Sequence, residues 1–197
     1  FAECTSADAG YDAERLVDAF PGMIEAEGAL IDDLPERLER FHYDIVATTT
    51  FHADEAQVLA AGQVPVVAML IGPGYLELVH EIAGLPPGSR VGLVCANERG
   101  AENMLETLQI SGTTGIEIVP ALIGETDRLK VVDETSDLIL LSREALAAGL
   151  DRQMHDRDRI RPWSYEFDPA GLELLRRAID HVAAERPAER LAEVPAG

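Results

Sequence analysis

Two periods of apolar residues alternate along this chain. Short hydrophobic runs lead into polar turns, and the turns lead into stretches where apolar residues recur every third or fourth position. The best-marked example spans residues 85–108. Pro86-Pro87-Gly88 stops whatever precedes it, since proline lacks an amide donor and fixes φ. Residues 91–95 (Val-Gly-Leu-Val-Cys) are then an apolar run of the kind that makes a buried parallel strand. Ala101, Met104, Leu105 and Leu108 follow at helical spacing. Strand, polar turn and helix open a βαβ unit, whose turn sits at the carboxyl edge of the sheet, where ligands bind. Cys95, Ala96, Asn97 and Glu98 occupy that turn.

The first residues repeat this opening. Phe1-Ala2-Glu3-Cys4 reads as the end of a strand, Thr5, Ser6 and Asp8 as a polar turn, and Ala13, Leu16, Val17 and Phe20 as a helix face. Further on, Asp44-Ile45-Val46-Ala47-Thr48-Thr49 resembles Asp137-Leu138-Ile139-Leu140-Leu141-Ser142, at nearly the same distance from Cys4 and Cys95 respectively. The pattern is that of a diverged internal duplication, although any two βαβ units share some of it. The expected fold class is therefore α/β, with two similar Rossmann-like lobes, each a three-layer α/β/α sandwich, around a central cleft.

In chain order, the periodicity predicts a helix over 11–20, a weak strand with one wet face over 23–31, and a short helix over 34–41. A strand over 43–50, a helix over 53–62 and a strand over 64–71 follow. That last strand is the most hydrophobic and is expected to be central. Gly72-Pro73-Gly74 is a turn or hinge, and 75–83 is a helix with Leu76, Val79 and Ile82 inward. The second lobe continues with a strand over 91–95, a helix over 100–109, a loop over 111–115, a strand over 116–122 and a helix or turn over 126–132. A strand over 137–141 and a helix over 143–150 come next. Residues 151–161, of mixed charge, read as an exposed linker or as an arginine-lined rim of a site. A last strand covers 163–167. Asp168 is a good N-cap with Pro169 just inside a final helix, whose Leu172, Leu175, Ile179 and Val182 form a stripe. Lobe 1 is thus 1–72, completed by the helix at 168–185; lobe 2 is 73–167; 186–197 is a tail.

The chain has 197 residues, 47% of them hydrophobic, enough for a good core in one domain or two small lobes. No apolar run is long enough to span a bilayer, and no secretory signal is visible, so a cytoplasmic location is expected. There is no initiating Met and the chain opens inside a strand, which leads us to expect residues upstream. A net charge of −20 argues against nucleic-acid binding by this segment, because a phosphate backbone would be repelled. Fifteen of the sixteen basic residues are arginine, with Lys130 the only lysine. That bias also fits a GC-rich or salt-adapted source. Cys4 and Cys95 form no CxxC pair and no zinc spacing. Each ends a strand, where a small buried hydrophobe also fits.

In a two-lobed protein the strand ends of both lobes face one cleft. Candidate ligand-binding residues are therefore Cys4, Thr5 and Ser6, then Thr48, Thr49, Thr50, Phe51 and His52. Tyr75, Cys95, Asn97, Glu98, Ser142 and Arg143 complete the set. Hydroxyls, amides and one arginine suit a small polar ligand, and helix N-termini add anion affinity. The threonines also suit a strand for its own sake, and His52 could equally face water. His42, His80, His155 and His181 show no ligand spacing, so neither a metal nor a cofactor is expected. No GxGxxG, P-loop or GxSxG occurs.

Several phrases combine: Phe-Ala-Glu-Cys, Asp-Ile-Val-Ala-Thr-Thr-Thr-Phe-His, Leu-Pro-Pro-Gly-Ser-Arg-Val-Gly-Leu-Val-Cys, Gly-Ala-Glu-Asn-Met and Phe-Asp-Pro-Ala-Gly-Leu-Glu-Leu-Leu-Arg-Arg. In this order they resemble the C-terminal effector-sensing region of GntR-like bacterial transcriptional regulators, from Phe1 to about Val182. The resemblance implies a periplasmic-binding-protein-like pair of lobes, a small-molecule effector and a homodimer in the full-length regulator. It also implies that DNA is contacted only through a winged helix-turn-helix missing from this chain, with no membrane partner. The charged segment 151–161 departs from that group. The alternative is an enzyme resembling aspartate/glutamate racemases, with Cys4 and Cys95 as paired acid and base; the Asn-Thr partners typical of that family are missing after Cys4.

Overall fold

A computed structural model describes residues 1–110 and 115–185. The sequence expectations for 111–114 and for the tail at 186–197 lie outside these residues. Lobe 1 contains β1 (Ala2–Glu3), α1 (Ser6–Ala19), β2 (Ala29–Leu30), α2 (Leu34–Arg40), β3 (Val46–Thr49), α3 (Ala53–Ala60) and β4 (Val66–Met69). The chain then crosses to lobe 2: α4 (Pro73–Ala83), β5 (Arg90–Cys95), α5 (Glu98–Ile110), β6 (Glu117–Leu122), α6 (Thr126–Thr135), β7 (Leu138–Leu141), α7 (Arg143–Ala147) and β8 (Ile160–Pro162). Finally α8 (Pro169–Glu185) returns to lobe 1, where its Leu175 packs with Leu16, Ala47, Met69 and Phe167. The two sheets are separate and run in the orders β2-β1-β3-β4 and β6-β5-β7-β8, with all neighbours parallel. The same order in both lobes is what the repeated sequence pattern anticipates.

Each sheet is covered on both faces, which explains its unbroken apolar runs. Side chains alternate across a strand. Val91, Leu93, Cys95, Leu138 and Leu140 therefore pack against α4 and α5. Val94, Ile139 and Leu141 pack against α6 and α7 on the other face. Parallel strands buried in this way need tight helix contacts. Gly92 supplies one, since a Cβ there would stand 2.4 Å from Val132 Cγ1. Gly171 supplies another: a Cβ would lie 2.7 Å from the backbone N of Leu70, so α8 reaches β4 only because that side chain is absent.

Several expectations need correction. The first helix begins at Ser6, because the polar turn is itself the cap: Thr5 Oγ1 accepts from the Asp8 N–H at 3.1 Å. Likewise α5 begins at Glu98, with Asn97 Oδ1 accepting from the Gly100 N–H at 2.7 Å. The strand expected over 23–31 shrinks to Ala29–Leu30, since only these residues pair with β1. The hydrophobic β4 is an edge strand, not a central one. Its apolar character reflects cover from α8 and from the returning chain, where Asp168 N–H donates to Leu70 O at 2.9 Å and Gly72 N–H to Glu166 O at 2.7 Å. Leu76 is 56% exposed; Tyr75, Leu78, Val79 and Ile82 form the inner face of α4 instead. The final strand is Ile160–Pro162 rather than 163–167, which crosses back between the lobes. Residues 151–161 are no loose linker: Met154 is buried, Arg159 donates to the Asp133 and Ser136 carbonyls, and Arg161 binds Glu81. These arginines are committed within lobe 2 and do not line the cleft described below.

Gly171→Ala forces backbone apart and is expected to cost about 1–3 kcal/mol in urea denaturation. Gly74→Ala, with nothing within 4 Å of its added Cβ, should cost nothing measurable. Equal effects of the two would overturn this view of how α8 docks.

Candidate functional site

In each sheet the strand order reverses between the first and third strands of the lobe. The connections after β1 and β3 leave on opposite faces, and so do those after β5 and β7. Such a switch point opens a crevice beyond the carboxyl ends of the strands. The two crevices face a common cleft that, in this closed arrangement, encloses a volume of about 50 Å³. Lobe 1 lines it with Glu3, Cys4, Thr5, Asp8, Phe51 and His52. Lobe 2 contributes Cys95, Ala96, Gly100, Asn103, Met104, Thr107, Ser142 and Glu144, and the crossing segment adds Trp163 and Tyr165.

At the floor lies a buried carboxylate. Glu3 is 4% exposed, and an isolated charge there would be costly. Its oxygens are instead surrounded by donors. Thr49 Oγ1 donates to Oε1 at 2.6 Å, the Cys4 N–H donates to Oε2 at 3.1 Å, and His52 Nε2 stands 3.1 Å from Oε2. Burial alone would raise the pKa of Glu3, but these partners, His52 foremost, hold it below the ordinary carboxylate value. His52 answers in kind. Burial opposes its charge, but Cys4 and Glu3 beside it push it up to about 10, so the imidazole is cationic at neutral pH. Its other nitrogen, Nδ1, stands 3.6 Å from Glu55 Oε2. Carboxylate, thiol and imidazole thus gather in one corner: one ligand-type atom from each of Glu3, Cys4 and His52 lies within 4.8 Å of the others.

The rim is tied across the lobes. Arg143 Nε of α7 donates to Asp8 Oδ1 of α1 at 2.8 Å, and its guanidinium lies 3.6 Å from the ring centre of Tyr11. Arg99 of α5 binds Glu55 Oε1 at 2.6 Å and also Asp32. On the wall, Tyr165 O–H donates to Asp12 Oδ2 at 2.9 Å, and Asp12 is fully buried. Burial pushes Asp12 up to about 6 despite that bond, with the negative charge of Glu3 adding to the rise. Cys95 is 1% exposed with its sulfur 3.0 Å from Met104 Sδ. Burial, then the charges of Glu144, Cys4 and Asp8, push its thiol up to about 12. Asn103 Nδ2 and Glu144 Oε2 are buried on the lobe 2 side without a hydrogen-bond partner among the described residues.

Of the residues singled out from sequence, Cys4, Thr5, Phe51, His52, Cys95 and Ser142 line the cleft. Thr49 acts behind it through Glu3, and Thr48 Oγ1 donates to Ala2 O at 2.9 Å inside lobe 1. Thr50 and Tyr75 line a separate shallow hollow with Leu70 and Ile71. Ser6, Asn97 and Glu98 are exposed, Asn97 serving as a cap, and Arg143 serves as a cross-lobe tie. His52 does not face water: it is 6% exposed. The important omissions are Glu3, Asp8, Asn103, Glu144 and Tyr165. Glu3 carried a signal, a lone charge inside an apolar strand end. Asn103 and Tyr165 carried none, since only packing turns them inward.

Residues 92–186, just under half of the chain, match the family model described as the YmtS Rossmann-like domain. The match begins in β5 and runs to the end of α8, and with the two parallel sheets it establishes the Rossmann-like α/β fold. No curated protein and no solved structure matches the chain. No helix among the described residues is long and apolar enough to cross a membrane.

The buried Asp12 holds its proton more tightly folded than unfolded, where 3.8 applies. Its contribution to stability is complete below pH 3.8 and is lost as pH rises through about 6, a change on the order of 2–3 kcal/mol. Asp12→Asn keeps an acceptor for Tyr165 and removes the titration. Denaturant melts should show its stability relative to the unsubstituted protein rising by that amount between pH 4 and pH 7.5. A difference independent of pH would overturn the assignment.

Proposed function

We propose that the chain is a small-molecule sensing domain whose two lobes close on an effector. The observation that carries this reading is a cleft lined from both lobes at facing switch points, largely apolar with polar groups set into it, and bridged by ion pairs. The bridges Arg143–Asp8 and Arg99–Glu55 join opposite lobes. Both pairs are only part-buried, so opening the lobes exchanges them for water at modest cost. An effector that binds the closed arrangement better than the open one would shift that balance. Asn103 Nδ2 offers it an unused donor and Glu144 Oε2 an unused acceptor. Phe51 and Trp163 offer flat apolar walls.

The resemblance to GntR-like regulators supports a further step. In the whole regulator a dimer would pass the closure on to winged helix-turn-helix heads, which alone would touch DNA. The net charge of −20 fits a sensing segment that leaves DNA to another domain. The two-cysteine racemase reading is the weaker one. Cys95 is buried against Met104 with its thiol pushed up to about 12, a poor partner for proton exchange at neutral pH.

A thermal-shift screen of metabolites on this chain should find a stabilising ligand. At 100 times its Kd such a ligand adds about 2.7 kcal/mol, which raises Tm by roughly 5–10 °C for a chain of this size. Asn103→Ala and Glu144→Gln should weaken that ligand without lowering the Tm of the free protein. A broad screen with no hit, or a hit indifferent to both substitutions, would sink the proposal. Removing both bridges, as Arg99→Ala/Arg143→Ala, should increase the radius of gyration in small-angle scattering. An unchanged radius would mean the lobes do not open.

A further inference from the structure

We infer that Glu3, Cys4 and His52 form a binding site for a zinc-class divalent cation at the floor of the cleft. The first support is the donor set. One carboxylate oxygen, one thiol sulfur and one imidazole nitrogen lie within 4.8 Å of one another. Ligand atoms around a tetrahedral zinc ion stand roughly 3.3–3.6 Å apart, given Zn–N and Zn–O of about 2.0–2.1 Å and Zn–S of about 2.3 Å. His52 Nε2 and Glu3 Oε2 are already 3.1 Å apart. The remaining separations are at most 4.8 Å, so the trio already stands close to that spacing. A nitrogen–sulfur–oxygen set favours zinc, cobalt or a similar ion over magnesium and calcium, which take oxygen.

The second support is the surroundings of these three groups. A metal-bound histidine usually directs its other ring nitrogen at a carboxylate, which fixes the ring and raises its basicity. Here Nδ1 faces Glu55 Oε2 at 3.6 Å while Nε2 faces Glu3, and Glu55 is itself held by Arg99 of lobe 2. A ligating carboxylate is usually anchored through its second oxygen, and Thr49 Oγ1 holds Glu3 Oε1 at 2.6 Å. All three donors line the cleft, so the ion's fourth position opens towards it. A cation there takes the place now filled by the protons between these groups, and binding releases those protons. The chain Glu55–Arg99 would couple occupancy of the site to the contact between lobes.

Cobalt(II) chloride titrated into the full chain under reducing conditions tests this directly. The expected result is one equivalent of bound cobalt with the near-ultraviolet sulfur-to-cobalt charge-transfer band and intense visible bands of a tetrahedral ion, all bleached by excess zinc. Cys4 is half-exposed, so Cys4→Ser should stay folded by circular dichroism and lose the charge-transfer band. Glu55→Gln should retain the band with affinity lowered about 10- to 100-fold. Absence of the band at saturating cobalt on the folded, unsubstituted protein overturns the inference, as does its persistence in Cys4→Ser. The site stands independently of the effector: cobalt bound without any effector found leaves it intact, and an effector bound without cobalt overturns it alone.

Discussion

A two-residue strand has few ladder bonds with which to hold the middle of a sheet, and β1 is such a strand. It meets β3 at a single register pair, Ala2 with Thr48. Side-chain hydrogen bonds make up the deficit. Thr48 Oγ1 reaches Ala2 O, and the Glu3 carboxylate gathers Thr49, the Cys4 amide and His52. A buried carboxylate is tolerated with its donors in place, where a lone one would be strongly destabilising. The same bonds that hold β1 to β3 set the corner of the cleft, so the integrity of lobe 1 and the geometry of the site rest on one group.

That corner does not end at the lobe boundary. From Thr49 the contacts run through Glu3 and His52 to Glu55, then to Arg99 on α5 and Asp32 back in lobe 1. A parallel tie joins Asp8 to Arg143 on the opposite rim. Both ties sit where salt reaches them and screens them within about 8–10 Å. In a chain this acidic, the few arginines that cross between lobes oppose a general repulsion among carboxylates. Their placement at the mouth makes the separation of the lobes sensitive to any charge that enters.

The equivalent positions of the two lobes have been put to different uses. Cys4 directly follows β1 and Cys95 ends β5, the first strands of the two lobes, and both reach the cleft wall. Cys4 stands beside a charged imidazole and a carboxylate, half open to the cleft. Cys95 is enclosed, its sulfur against Met104, and serves the core under α5. Lobe 2 offers Asn103, Ser142 and Glu144 instead, polar but without a comparable cluster. The cleft is therefore asymmetric, with a charged floor in lobe 1 and a hydrogen-bonding wall in lobe 2.

Periodicity alone determined the alternation of strands and helices, and it pointed to the repeat of Cys4 and Asp44 in Cys95 and Asp137 and to the strand ends as the candidate site. These follow from local rules: apolar runs need two covered faces, and a cap such as Asp168 announces where a helix starts. Tertiary structure decided what local rules do not reach. It placed β4 at the edge of its sheet, with residues 166–168 bonded to the chain just beyond its end, and it turned 151–161 from an apparent linker into ordered turns bonded to Asp133 and Glu81. It drew Tyr165 against Asp12 and Glu3 across more than a hundred residues of chain. His52 had equal claims to water and to the interior until Glu3 was beside it, because the charge that makes burial tolerable comes from another strand. The sequence names the donors, and only their meeting at the switch point makes them a site.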